Sequence, residues 1–362
     1  MNLKRYLVNF DWLLVMFLIG IMCAGYFTLA SVSNLVGWPV QHKQLIWYLI
    51  GSSLMIFLAF FRDCRMIEAF TNIFYIGCLI LLLFLALHRG GVHRWIHLGF
   101  FNLQPSEFTK LAVIMVIAKF FAYHPKERYN IIDLIKPAIL VGLPALLIMK
   151  QPDLGTAILV LVVFMGMVLF ARIDWKTAVV IGVIIIVAVP VAYHFMRPYQ
   201  RQRLESFLHP NKNKQGGAYH VTESKIAVGT GGVFGQGYKN GVQVHLKFLP
   251  ESQTDFAFAT FAEEWGFCGG VFLIICYIGV LARGLIITAK ARSRFEIFLA
   301  FGICVLLFCQ TVINILMVLG CVPVVGIPLP LVSYGGSSAI VTLASMGILL
   351  NIGRHQQLFI TS

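Results

Sequence analysis

The stretch Phe248-Leu249-Pro250-Glu251-Ser252-Gln253-Thr254-Asp255-Phe256 ends a long polar segment and opens an apolar helix, which places a carboxylate where water meets hydrocarbon. Ionisable side chains at a membrane margin are costly unless paired or functional, so Asp255 is the first candidate for chemistry. Other polar sets accompany it. Glu107 and Lys110 follow Gln104-Pro105-Ser106 and stand three apart, a spacing that puts them on one helix face as an ion pair. Asp153 closes the turn Lys150-Gln151-Pro152-Asp153, and Arg197, Arg201, Arg203, Lys225, Lys239 and Lys247 make the segment 196–254 basic. Each set has a plainer use. Glu107 and Lys110 could seal a helix end, Asp153 could cap the helix starting at Leu154, and Asp255 could cap its own. The basic segment could hold anionic lipid headgroups.

Together these residues suit one chemistry. Cations facing a carboxylate can stabilise a departing lipid-linked diphosphate, while the carboxylate accepts the proton of an attacking sugar hydroxyl. Two influences on the Asp255 pKa oppose each other. A helix N-terminus lowers it and burial beside Phe256 raises it.

The elements that must position these groups are membrane helices. Of 362 residues, 59% are hydrophobic and 12% charged, about half the charged fraction of soluble domains. Ten apolar stretches long enough to cross a bilayer are expected at 12–31, 45–61, 73–88, 107–123, 134–149, 154–171, 175–195, 264–283, 296–319 and 337–352. The expected fold is an all-α polytopic membrane protein, one domain over 1–362, with the structured loop 196–254 between helices 7 and 8. The first apolar stretch is too long for a signal peptide. Lys4 and Arg5 precede it, and basic residues concentrate in the loops expected to be cytoplasmic, so both termini are expected there. The net charge of +13 then reads as topology rather than nucleic-acid binding. The interval from Asp255 to Arg283 is too long for one straight span, and Trp265-Gly266 or Gly269-Gly270 is the expected break.

Other signals are weak. The run Gly229 to Gly237 resembles a phosphate-cradling loop but lacks the Walker lysine. His88, His93 and His97 have no further ligand and read as interface histidines, and the eight cysteines read as packed or free thiols.

The motifs around Gln104 to Glu107, Gln151 to Thr156, Ser224 to Ala227, Phe248 to Phe256, Ala262-Glu263-Glu264 and Pro328 to Ser338 resemble, in order and over nearly the whole chain, the SEDS family (shape, elongation, division, sporulation). The segment Gly326 to Ser333 is more similar to its elongation members than to its division members. The resemblance implies a peptidoglycan glycosyltransferase that polymerises lipid II at the outer face of the bacterial inner membrane. It implies Asp255 as catalytic acid-base residue. Trp95, Arg94, Glu107, Lys110, Asp153 and Lys225 become candidate substrate contacts, and Arg201 joins them as one of the basic residues of the loop, with no metal-ligating residue. It also implies a class B penicillin-binding protein and elongation-complex membrane proteins as partners. No cofactor is required by the motifs, and a divalent cation, Mg²⁺ or Mn²⁺, stays open. His97 and Lys247 depart from the pattern, which puts substrate-contact details in doubt. Two rival readings are a lipid II flippase and a non-catalytic scaffold for a transpeptidase.

Overall fold

A computed structural model of the chain describes residues 10–36, 39–61, 64–87, 94–97, 99, 102–196, 198–209, 217–246 and 251–357. His88, His93, Arg197, Lys247, the loop tip 211–216 and the motif residues Phe248-Leu249-Pro250 lie outside the described residues. The described chain is helical apart from one short hairpin. The helices are α1 (Trp12–Val36), α2 (Val40–Ala59), α3 (Cys64–Leu87), α4 (Pro105–Tyr123), α5 (Ile131–Lys150), α6 (Leu154–Phe170), α7 (Trp175–Phe195), α8 (Pro198–Leu208), α9 (Gly217–Thr230), α10 (Val242–His245), α11 (Ala257–Lys290), α12 (Arg294–Val318) and α13 (Gly336–Gln357). Strands β1 (Ile96–His97) and β2 (Asn102–Leu103) pair antiparallel, with Ile96 opposite Leu103.

Each of the ten apolar stretches falls on a helix. Six helices, α1, α3, α5, α11, α12 and α13, are long and apolar enough to cross a membrane by length and composition. Helix α3 begins well before its apolar stretch because a polar first half need not end a helix: Thr71 turns its hydroxyl onto the Ile67 carbonyl at 3.0 Å. In α5 the buried positions Leu134, Pro137, Val141, Pro144, Ala145 and Ile148 trace a single stripe, and the opposite side faces outward.

Helix α4 is the centre of the bundle. Between Pro105 and Phe121 every residue but Phe108 and Lys119 is buried, against α3, α5, α6, α12 and α13. A helix apolar on all sides is stable only when surrounded, and this one carries Glu107 and Lys110 in its first turns. Helix α13 packs along α2, and α1 along α11. At the far end of α13, buried Asn351 donates to the Leu58 and Phe61 carbonyls at 2.8 Å each, satisfying acceptors at the end of α2 that hydrocarbon could not.

Helix α11 breaks at Gly266, whose φ of 65° and ψ of −162° are open to glycine almost alone. The break removes two helical bonds, and the glycine-rich segment after α9 supplies their replacements. Phe267 and Cys268 donate to the Gly232 and Val233 carbonyls at 2.9 and 3.0 Å. The carbonyls of Glu263 and Glu264 accept from the Gln236 and Gly237 amides, both at 3.0 Å. The loop backbone lies so close that a Cβ on Gly235 would collide with the Glu264 carbonyl. The glycines at 229–237 thus serve a backbone splice rather than a phosphate. The side chains join in: Glu263 accepts the Gln243 amide at 2.8 Å, and Glu264 accepts the Lys239 amide at 3.1 Å and the Ser31 hydroxyl.

Two glycines test this splice. Gly266→Ala should lose about 3 kcal/mol from its backbone conformation alone, and Gly235→Ala should be at least as harmful. Gly229→Ala, which meets open space, should change stability by less than about 0.5 kcal/mol. Thermal unfolding of the three purified variants in one detergent reads the difference.

Candidate active site

A cavity of about 560 Å³ opens at the end of the bundle where α4, α6 and α13 begin. Six pieces of chain build it. The segment before β1 supplies Arg94 and Trp95, the start of α4 Gln104 and Glu107, and the start of α6 Asp153, Leu154 and Thr156. Helix α8 supplies Gln200, Arg203 and Leu204. The turn before α11 supplies Glu251, Thr254 and Asp255, and the segment 323–335 closes the ring with Val325, Gly326 and Tyr334.

Asp255 is held through its backbone. Buried Asn314 of α12 donates to the Asp255 carbonyl at 3.0 Å and to the Ile327 carbonyl at 2.8 Å, tying the turn to the 323–335 segment. Ser333 donates to the Thr254 carbonyl at 2.5 Å while accepting the Leu329 amide, and the Tyr334 amide donates to the Gln253 carbonyl at 2.8 Å. The carboxylate faces Gly326, where an added Cβ would stand 3.4 Å from Oδ2. The Asp255 side chain lines the cavity beside Arg203, Arg94 and Glu251.

Burial pushes the Asp255 pKa up to about 6. Glu251 adds to the rise, Arg203 and Arg94 oppose it, and Asp153 reinforces it. Glu251 and Asp255 influence each other although no helix joins them. The chain turns between them with Glu251 at φ 52°, its carbonyl accepting the Thr254 and Phe256 amides. The N-terminal helix field expected to lower the pKa is outweighed, since Phe256 separates Asp255 from the first residue of α11.

The other candidates divide. Glu107 and Lys110 form a buried pair at 2.8 Å. Glu107 lines the cavity, and Lys110 stands behind it beside a water-sized void shared with Gln310 and Ser345. Asp153 lines the cavity and caps α6, accepting the Thr156 amide at 3.2 Å and the Gln104 side-chain amide at 3.3 Å. Arg94 reaches the carbonyls of Gln151 and Pro152, which fixes its guanidinium at the rim beside Trp95.

Two candidates lie elsewhere. Arg201 is turned back onto the Tyr193 and His194 carbonyls and over the Tyr193 ring. Arg203, two residues on, faces the cavity instead and donates to the Val324 carbonyl at 3.3 Å. Helix phase separates them, and Arg201 was named on composition without it. Lys225 lies over Gly320 at the end of α12 and does not line the cavity. Its motif has an anchoring use, because Ser224 donates to the Val318 carbonyl at 2.8 Å and Ala227 is fully buried. Asn314 was missed altogether. A carboxamide within an apolar helix was the available signal.

Comparisons with known proteins agree with this architecture. The family model of the FtsW, RodA and SpoVE cell cycle proteins matches residues 5–358. The chain is 40% identical to the peptidoglycan glycosyltransferase MrdB of Escherichia coli (strain K12), over 81% of this chain and 80% of the relative. It is 35% identical to MrdB of Helicobacter pylori (strain ATCC 700392 / 26695), over 98% and 93% of the two chains. Among solved structures, a chain of a peptidoglycan synthase complex that coordinates polymerization and crosslinking superposes with a TM-score of 0.81 at 30% identity, covering 96% of this chain and 98% of that one. The rod shape determining protein RodA of Thermus thermophilus superposes at 0.71 with 27% identity and the same coverage.

The Asp255 environment has a measurable consequence for stability. A carboxyl whose folded pKa lies above its unfolded value favours folding most when protonated. That contribution is complete below about pH 3.8 and is lost as pH rises through about 6. Asp255→Asn should therefore flatten the fall in thermal midpoint between pH 4 and 6.5. At pH 7.5 it should be the more stable protein, by on the order of 3 kcal/mol at most.

Proposed function

The chain belongs to the family of FtsW, RodA and SpoVE cell cycle proteins, and from that membership and the cavity we propose how its reaction runs. It is a multi-pass membrane protein and a peptidoglycan glycosyltransferase of cell-wall elongation. In our reading it has ten crossings with both termini cytoplasmic, and its cavity opens at the outer face beside the loop 196–254. Its substrate is lipid II, the lipid-linked disaccharide-peptide.

The observation that carries the mechanism is a buried carboxylate with a pKa near 6 inside a cavity edged by two arginines. Such a group is mostly ionised at neutral pH yet basic enough to accept a proton, which suits a general base. Asp255 takes the proton of the 4-hydroxyl on the acceptor's N-acetylglucosamine. That oxygen forms a bond to C1 of the donor N-acetylmuramic acid as the bond from C1 to undecaprenyl diphosphate breaks, inverting the anomeric centre. Arg203 and Arg94 face the diphosphate as charge gathers on it. The Glu107–Lys110 pair holds the cavity floor, and apolar residues such as Leu154, Ile158 and Leu204 flank the lipid.

Among the described residues no three His, Cys, Asp or Glu side chains converge as a metal site. A Mg²⁺ or Mn²⁺ ion would come bound to the substrate's diphosphate. The partner proposed is a class B penicillin-binding protein, in keeping with the synthase complex to which the chain is structurally similar. Elongation-complex membrane proteins and membrane lipids complete the set. A flippase would need polar groups along a path joining both faces, whereas the charged groups of this cavity gather at one end.

Polymerisation of lipid II by the purified chain, with and without a class B penicillin-binding protein, tests the base. Asp255→Asn should lower kcat by at least about 10²-fold while the protein stays folded. Activity in the mutant equal to wild type would overturn the assignment. In wild type, kcat/KM should rise with pH along an acid limb near pH 6.

The arginines give a second test. Arg203→Gln should move that limb upward and lower kcat/KM by about tenfold or more, because it removes a cation that opposes the raised pKa and faces the leaving group. Arg201→Gln, outside the cavity, should leave both within about twofold.

A further inference from the structure

At the end of the bundle away from the active-site cavity, α3, α4 and α5 enclose a second hollow of about 550 Å³ that the reaction does not use. Its walls are apolar or aromatic, among them Tyr75 and Ile76 of α3, Val116 and Phe120 of α4, and Leu140 of α5. Two ammonium groups, Lys119 and Lys136, line it as well. The hollow runs on into a furrow of about 410 Å³ along the outward side of α5, sharing Lys136 and Leu140 and adding Ile132, Ile135 and Ile139. Tyr75 closes the floor by donating to the Leu140 carbonyl at 2.6 Å.

The charges are what need explaining. Lys119 lies one turn inside the end of the helix at the centre of the bundle. A cation at such depth is expensive unless an anion or water meets it. Among the described residues no carboxylate pairs with Lys119 or Lys136. Lys119 has only the neutral Glu68 carbonyl, at 3.2 Å, which leaves two of its three donors. The nearby acids are engaged elsewhere. The Glu68 carboxylate meets the Tyr123 hydroxyl, and Asp133 takes Lys126 at 2.7 Å and the Asn130 amide at 3.0 Å. His124 also lines the hollow, its ring stacked on Phe120.

We propose that this hollow is a binding site for one anionic glycerophospholipid of the leaflet opposite the active-site cavity. Its phosphate sits between Lys119 and Lys136, and its acyl chains run along Ile76, Val116 and the isoleucines of α5. Charge complementarity selects the occupant. A zwitterionic lipid brings its own cation to two ammonium groups, and a free phosphate leaves the apolar walls facing nothing. The site lies against the far end of α4, the helix whose other end carries Glu107 and Lys110.

The test titrates the purified full chain, in a neutral detergent, with phosphatidylglycerol and separately with phosphatidylcholine, counting bound lipids by native mass spectrometry. Phosphatidylglycerol should bind the tighter of the two. Lys119→Gln with Lys136→Gln should weaken it by about 25-fold, roughly fivefold for each lysine, and leave phosphatidylcholine unchanged. Lys176→Gln with Lys290→Gln removes the same charge from lysines outside the hollow and should have no such effect. Equal weakening by both pairs, no weakening by the first, or displacement of the lipid by excess inorganic phosphate would overturn the proposal. If the first pair does not fold, Ile76→Trp decides. It fills the hollow with both lysines intact, and should abolish the preference for phosphatidylglycerol, whereas a preserved preference refutes the site.

Discussion

The backbone splice at Gly266 is the interaction on which the rest of this structure depends. A break in a membrane helix exposes donors and acceptors that hydrocarbon cannot satisfy. Here the freed amides of Phe267 and Cys268 and the freed carbonyls of Glu263 and Glu264 are all taken by one stretch of loop, 232–237. The break lets a short helical piece stand ahead of the main span, and the turn bearing Asp255 is attached to that piece. The two buried glutamates extend the splice from backbone to side chain by accepting amides at Lys239 and Gln243. Residues 232–243 of the long loop are therefore bound to the broken helix, and the carboxylate position is a property of the fold.

Electrostatics within the cavity follows from that rigidity. Four carboxylates, Glu107, Asp153, Glu251 and Asp255, line the cavity. Two are already committed, Glu107 to Lys110 and Asp153 to capping α6. Asp255 holds its proton to higher pH chiefly because it is buried, and Glu251 beside it adds to the rise. Arg203 and Arg94 limit the effect and keep the group a usable base near neutrality. The basic composition of the loop suggested a cavity dominated by cations. The structure instead balances acids against two arginines, with Arg201 and Lys225 bonded or packed elsewhere.

The two ends of α4 give the molecule its polarity. One end offers Glu107, paired with Lys110, to the active-site cavity, and the other carries Lys119, which no carboxylate among the described residues pairs. Because the start of α4 is enclosed, the Glu107–Lys110 pair is held within the bundle, whereas Lys119 is only partly buried and faces the second hollow. Buried ionic groups of this kind stabilise little by themselves and act mainly by fixing what must stand next to them.

Much of this was legible in the residues alone. Apolar stretches of bilayer length announced the helices, because hydrocarbon leaves the backbone few alternatives. Asp255, Glu107, Lys110 and Asp153 were visible as polar groups at helix margins, where their cost demands a reason, and Arg94 and Trp95 through the family resemblance. A break at Trp265-Gly266 or Gly269-Gly270 was visible because the interval is too long for one span, and the structure puts it at Gly266. What the sequence could not show was which separate segments meet. The phase of α8 decides between Arg201 and Arg203, and a one-dimensional list of basic residues carries no phase. The glycines at 229–237 suggest a ligand loop until the broken helix appears beside them. The raised pKa of Asp255 depends on burial and on Glu251 being folded back across a turn, and both are set by contacts far apart in the chain, with Asn314 and Ser333 foremost. Local chemistry is written residue by residue, whereas proximity is decided only when the bundle closes.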